Sequence, residues 1–294
     1  MDVQVKFLGA AGTVTGSRYL ITVGEFKFLF DCGLFQGLKE LRLRNWDSFP
    51  MIASEIQAVV ISHAHIDHTG YLPRLVKEGF IGPIYCTTPT ADLMKIMLLD
   101  SAKLQEEEAA FAKKRGYSKH QDPQPLYTTE DAKRVFPLVR DFTYNTRIKI
   151  NDRIEIIFRN AGHLLGAAIT EIAVRGDKEV KKIVFTGDLG RYHDALMVEP
   201  STITEADVLF IESTYGNRDN PAMDPEKDLE RIVNEALFRK GILLIPAFAV
   251  GRTQEVLYYL HKLMQENRIP DVPVYVDSPM AISATFLYAK YENL

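Results

Sequence analysis

Between residues 62 and 70 the sequence reads SHAHIDHTG, which puts His63, His65, Asp67 and His68 into six consecutive positions. Three imidazoles and a carboxylate held so close together are costly to desolvate unless a cation lies among them. His63 and His65 flank a single residue, so both can reach one ion; Asp67 and His68 follow and suit a neighbouring one. Two more residues sit in matching settings, His163 in IIFRNAGHLLGAA and Asp188 in KKIVFTGDLG. Each follows a strand-like run, and each is preceded by a glycine, which suits a tight turn at a strand end. The pattern predicts one ion on His63, His65 and His163, a second on Asp67 and His68, and a bridge through the Asp188 carboxylate. Water held between two such ions is a hydroxide nucleophile near neutral pH. His120 in a Pro-rich loop, His193 in a polar turn and His261 on a helix have no such surroundings and are read as ordinary histidines.

The elements that must present these ligands are legible as alternating patterns. VQVKFLG, SRYLITVG and FKFLFDCG are short β segments separated by glycines, and QAVVIS is a buried-strand run that delivers the histidine loop. A helix over about 71–78, the strand PIYCTT and a long amphipathic helix over about 90–115 come next. Residues 116–132 read as a loop, with Thr128 or Thr129 capping the helix after it. RIEIIFRNAG, AAITEIAV and KKIVFTGD are strands. Beyond them, DVLFIES, GILLIPA and VPVYVDSP are expected as strands that alternate with helices at about 225–240 and 251–267, and a last helix starts in SPMAISATFLYAKYENL. Two domains are expected, 1–207 and 208–294.

The bulk composition is that of a soluble globular protein of 294 residues, 46% apolar and 25% charged. A net charge of −4 argues against coating nucleic acid by bulk electrostatics and leaves room for a local basic groove. Two cysteines, Cys32 and Cys86, are too few for a disulfide framework or a thiolate zinc site, which favours a reducing cytoplasm. The start MDVQVKFLGA has no secretory pattern and no apolar run approaches membrane-spanning length, so no membrane partner is expected.

His63-Ala-His65-Ile-Asp67-His68, with Asp31 in FLFDCG, His163 in AGHLLG and Asp188 in TGDLG, resembles the metallo-β-lactamase superfamily. The resemblance implies an α/β fold, a four-layer αββα sandwich with two Zn²⁺ at the edge between its sheets, and makes Asp31 the carboxylate that orients the histidine loop. GTVTGSRYL, LFIESTYGNR, IPAFAVGRTQEVLYYL and VYVDSPMA are similar to the β-CASP group, especially its RNA-processing ribonucleases, with Glu212 matching the acidic residue of the first β-CASP motif. Asp67 would steer the attacking hydroxide, and Glu212 would help position or protonate through a histidine that longer members of the group supply. The substrate implied is RNA, cut by phosphodiester hydrolysis, and homodimers are common among such prokaryotic proteins. A DNA-directed nuclease, a small-molecule ester or lactone hydrolase and a non-catalytic RNA-binding subunit are the alternatives.

Two phosphate-holding sites are expected on physical grounds. GRTQE opens a helix after a strand, so the amides near Gly251 and Arg252, with the Arg252 guanidinium, suit a phosphate. The hydroxyls and amides of Ser213, Thr214 and Tyr215 suit a second. Complete β-CASP nucleases are longer and supply two more histidines. The chain therefore reads as the N-terminal part of such a protein with a partial β-CASP domain. In this reading its first ion is fully liganded, its second is weakly held, and its nuclease activity is low.

Overall fold

The computed structural model describes residues 2–116, 122–177, 179–219 and 224–292; His120 lies outside them. Eleven strands among these residues form two sheets. The six-stranded sheet runs in chain order: β1 (Val3–Phe7), β2 (Tyr19–Val23), β3 (Phe26–Phe30), β4 (Ala58–Val60), β5 (Ile84–Thr87) and β6 (Val139–Phe142). The first three are antiparallel neighbours and the rest are parallel. The five-stranded sheet has β7 (Arg147–Lys149), β8 (Ile154–Asn160), β9 (Ala168–Arg175), β10 (Val180–Phe185) and β11 (Val208–Phe210), in the order β11-β10-β9-β8-β7. β11 pairs parallel to β10, so the sandwich extends past residue 207 to residue 210.

Alternation decides which face goes inside. Phe28, Phe30 and Val60 of one sheet meet Ile156, Phe158, Ile172 and Phe185 of the other in a buried core between the sheets. The opposite residues of β3 to β5, among them Leu29, Val59, Ile84 and Cys86, bury against helices. The helices of that layer are α3 (Leu72–Lys77), which follows two shorter ones, α1 (Lys39–Leu43) and α2 (Ile66–Thr69), then α4 (Thr88–Arg115) and α5 (Thr129–Lys133). α4 is capped by the Thr87 hydroxyl, and α5 by a reciprocal box between Thr128 and Asp131. α8 (Pro279–Lys290) packs on α4, locked by Lys290 and Tyr291 on Asp92, and α6 (Pro225–Phe238) and α7 (Arg252–Gln265) share a small core of Val233, Leu260 and Leu263. The outer face of the five-stranded sheet carries the charged row Arg159, Glu171 and Lys182, joined by 2.6 Å ion pairs. The described residues thus form an α/β sandwich of two sheets with helices packed on it.

The C-terminal third departs from its sequence pattern. Its helices form where the pattern puts them, but GILLIPA and VPVYVDSP are not strands. Neither stretch finds a ladder partner among the described residues, leaving Ile242 91%, Leu244 85% and Tyr275 87% exposed. A β pattern is realised only when a neighbouring edge accepts its backbone groups. DVLFIES contributes only β11, and that strand joins the sandwich. No helix of the described residues is long and apolar enough to cross a membrane.

Candidate metal centre

β4 ends in the middle of the six-stranded sheet, and the next residues, Ser62 to His68, turn over its C-terminal edge into α2. The loop from β8 to β9 brings His163 from the other sheet, and the residues after β10 bring Asp188. Gly162 and Gly187, which precede these two side chains, both adopt left-handed backbone with φ of 66° and 54°. One ligand atom from each of His63, His65, His163 and Asp188 lies within 4.8 Å of all the others. His63 Nε2 is 3.0 Å from His65 Nδ1, and His163 Nε2 is 3.3 Å from the same nitrogen. Ligands on a tetrahedral zinc with bonds of about 2.0–2.1 Å sit about 3.4 Å apart, so this spacing is that of a shared ion.

The Asp188 carboxylate faces two ways. Its Oδ2 lies 3.7 Å from His63 Nε2 and 3.6 Å from His163 Nε2, while its Oδ1 lies 3.4 Å from His68 Nε2. Asp67 Oδ2 is 3.8 Å from the same His68 nitrogen. All six residues singled out in the sequence thus meet around one carboxylate, three on its Oδ2 side and two on its Oδ1 side.

Protonation follows the same division. Burial, and then the neighbouring imidazoles, push His63 well below the usual histidine value. Burial and His163 take His65 down to about 3, and burial also lowers His163. Their lone pairs are therefore free for a cation. His68 is different: burial opposes its charge, but Asp31 and Asp188 outweigh it and hold the pKa well above the ordinary value. Burial would raise Asp188, yet the His68 hydrogen bond and charge bring it down to about 2. Asp67 is raised by burial, with His68 acting against that.

Asp31 sits behind this loop, fully buried and in left-handed backbone with φ of 57°. Its carboxylate accepts from Ser62 N (2.8 Å), Ser62 Oγ (3.0 Å), Ser17 Oγ (2.9 Å) and His68 Nδ1 (2.7 Å). The last bond keeps the proton on Nδ1 and turns Nε2 towards Asp188. Glu212 lines the cleft beside His68 and Asp188, and its charge acts on His163. Its carboxylate accepts from Leu189 N (3.1 Å) and Thr214 N (3.0 Å), which ties the turn after Asp188 to the chain beyond β11.

A cleft of about 550 Å³ opens beside His68 and Asp188, and Ser213 and Thr214 line it together with Thr13 and Val14. Tyr215 does not line it; its ring lies under the Arg218 guanidinium. Gly251 and Arg252 are also outside it. The Gly251 amide donates to Gln254 Oε1 at 2.7 Å, and Arg252 pairs with Glu255 at 2.5 Å, so the donors expected to hold a phosphate are engaged within their own helix. His193 is an exposed turn residue 3.0 Å from Glu199, and His261 is exposed on α7.

Some residues that hold the centre have no ligand chemistry of their own. Arg18 is buried with its guanidinium over the rings of Tyr71 (3.9 Å) and Phe35 (5.0 Å), donating to Gly33 O (2.7 Å) and Asn45 Oδ1 (3.1 Å). Cys32 and Leu34, either side of Gly33, donate to the carbonyls of His68 and Ile66, so Arg18 steadies the strip on which α2 rests. Across the site, the hydroxyls of Thr87 (2.6 Å) and Thr90 (2.8 Å) both donate to Gly166 O in the His163 loop, and Leu165 N donates to Tyr288 OH of α8 at 3.4 Å. Arg18 lies in the GTVTGSRYL motif; the threonines and Tyr288 carry no sequence signal that separates them from other helix residues.

Residues 20–210 match the model of the metallo-beta-lactamase superfamily domain. The chain belongs to the metallo-β-lactamase superfamily. Residues 253–294 of this superfamily member match the Beta-Casp domain. It is 36% identical over 283 residues to a protein of Thermus thermophilus named as a ribonuclease, covering 96% of this chain and 60% of that protein. It is 37% identical over 297 residues to a protein of Methanosarcina mazei named transcription termination factor FttA, covering 98% and 44%. An RNase J-like protein of Methanocaldococcus jannaschii is 32% identical over 99% of this chain and 62% of its own. The chain therefore spans between about two fifths and three fifths of the length of these relatives. A solved protein of unknown function from Enterococcus faecalis shares the fold, with a TM-score of 0.53 and 18% identity over 97% of this chain and 67% of that one.

Proposed function

We propose that the protein is a zinc-dependent β-CASP ribonuclease, with the metallo-β-lactamase sandwich as its catalytic domain and the segment after residue 210 as part of the β-CASP domain. The observation that carries this reading is the convergence of His63, His65, His163 and Asp188, with His63 and His163 on one oxygen of Asp188 and His68 on the other. Neutral nitrogens and carboxylate oxygens at this spacing fit Zn²⁺ better than the all-oxygen sets of magnesium or calcium. His63, His65, His163 and Asp188 would hold the first ion, and Asp67, His68 and Asp188 the second. Bound zinc lowers the pKa of water and offsets charge on a phosphoryl group.

The chain's own residues do the rest. Asp31 holds the His68 ring and its tautomer. Asp67, on the His68 side, orients the water and accepts its proton. Glu212 holds the turn after Asp188, and Ser213 and Thr214 present hydroxyls to a phosphate in the adjoining cleft. The likeness to relatives named as a ribonuclease and as RNase J-like supports RNA as the substrate. A cytoplasmic location and a homodimer belong to the same reading.

The test offers zinc-loaded protein a labelled RNA, the DNA of the same sequence and a chromogenic ester. RNA cleavage that chelator abolishes and zinc restores is expected. Ester turnover with the RNA intact, or preference for the DNA, would sink the assignment.

A further inference from the structure

The two sheets are open along the side away from β1 and β11, where β6 and β7 are edge strands. A cleft of about 560 Å³ lies there, with Tyr85 and Phe142 among its lining and cations from both sheets, Arg140 on β6 and Arg147 and Lys149 on β7. The two rings are stacked, 6.2 Å apart and 26° from parallel. Arg140 is the register partner of Tyr85 and donates only to the carbonyls of Pro137 (2.9 Å) and Val139 (2.8 Å); no described carboxylate pairs with it. Arg147 shares Glu155 with Arg175, at 3.3 and 3.0 Å. Lys149 holds only Asp152, in an exposed pair that a phosphate can replace at little cost.

A chain of contacts links the cleft to a loop of the metal centre. Phe142 is the register partner of Thr87, whose hydroxyl holds Gly166 three residues after His163. Two residues beyond Phe142, Tyr144 OH donates to Ala167 O at 3.0 Å, in the same loop. Phe142, which lines the cleft, is thus linked through its strand partner to the loop that presents His163, and the exposed Ile81 also lines the cleft.

We propose that this cleft is a second RNA-contact site, which holds an extended single strand by stacking on Tyr85 and Phe142 and by phosphate contacts to Arg140, Arg147 and Lys149. The proposal rests on the ribonuclease reading. Partly buried rings that line a cleft, with cations on both walls, are what a sequence-tolerant single-strand groove requires. In a chain of net charge −4 the local positive lining selects a polyanion over an ordinary peptide.

The test is fluorescence anisotropy of a labelled, unstructured 20-nucleotide RNA with the zinc-loaded protein and its R140Q/R147Q variant, over a salt series. Losing two phosphate contacts is expected to weaken binding about tenfold at low salt and to flatten the log–log salt slope by about 1.4, with zinc content unchanged. An RNA carrying 4-thiouridine should crosslink, on irradiation of wild-type protein, to the peptides containing Tyr85 and Phe142; if the variant does not fold, this measurement decides alone. Equal affinity and slope in the variant, or crosslinks confined to other peptides, overturns the cleft while RNA cleavage by the wild type leaves the ribonuclease reading standing. Wild-type protein that neither binds nor cuts RNA removes both. Protection of the cleft at high protein concentration without RNA would mark an interface between copies and overturn the proposal.

Discussion

The two oxygens of Asp188 face surroundings of opposite character. On the Oδ2 side, three imidazoles packed together, His63 fully buried among them, are kept neutral and bring their lone pairs to one point. On the Oδ1 side a single imidazole, His68, is kept protonated by Asp31 and Asp188, with Asp67 beside it. A cation enters the first side by filling a gap among lone pairs. It enters the second only by displacing a proton, and it finds fewer ligands there. A strong site and a weak one are therefore expected, the difference coming from what lies behind each ring.

The largest effect that tests this comparison is expected from Asp188→Asn, which removes the shared charge. Zinc content by elemental analysis should fall on both sides, and phosphodiester turnover should disappear; retained activity would break the two-sided scheme. The next separates the sides. His65→Ala should leave the protein nearly zinc-free, whereas His68→Ala should keep one tightly held zinc, and equal losses would show that the sides do not differ.

A third prediction uses the metal-free protein. His63, His65 and His163 have lowered pKa values, so below about 6.5 the unfolded chain binds protons that the native state refuses, and stability falls with pH. His68 has a raised pKa; its contribution is complete below about 6.5 and fades as pH rises towards the native value. Denaturant melts in chelator should therefore peak near pH 6.5, and a monotonic profile from pH 5 to 8 would contradict the division. The smallest effect is that of Asp31→Asn, expected to weaken only the His68-side zinc, by about 10- to 100-fold. Weakening of the tri-histidine site by the same factor would show that Asp31 supports the whole loop.

Much of this site was legible before any coordinates. H-x-H-x-D-H after a buried run, and glycine before both His163 and Asp188, are local signals, because ligand spacing and turn chemistry act over a few residues. The same holds for the Thr128 cap and for the helices near 225 and 252, whose patterns are periodic within their own length. β6 and β7 were not seen: they are short edge strands with charged residues, and only their neighbours make them strands. GILLIPA and VPVYVDSP failed in the opposite way, having the pattern without a partner.

The sequence by itself determined which side chains can bind a cation and the order in which strands deliver them. Ligand type and alternation are properties of the chain, and no folding is needed to read them. Tertiary structure alone decided that Thr87 and Thr90 would hold the His163 loop, and that the Gly251 amide and the exposed Arg252 would pair with Gln254 and Glu255 of their own helix. Those outcomes depend on contacts between residues as much as 79 apart and on competition among nearby acceptors, and neither is visible in spacing.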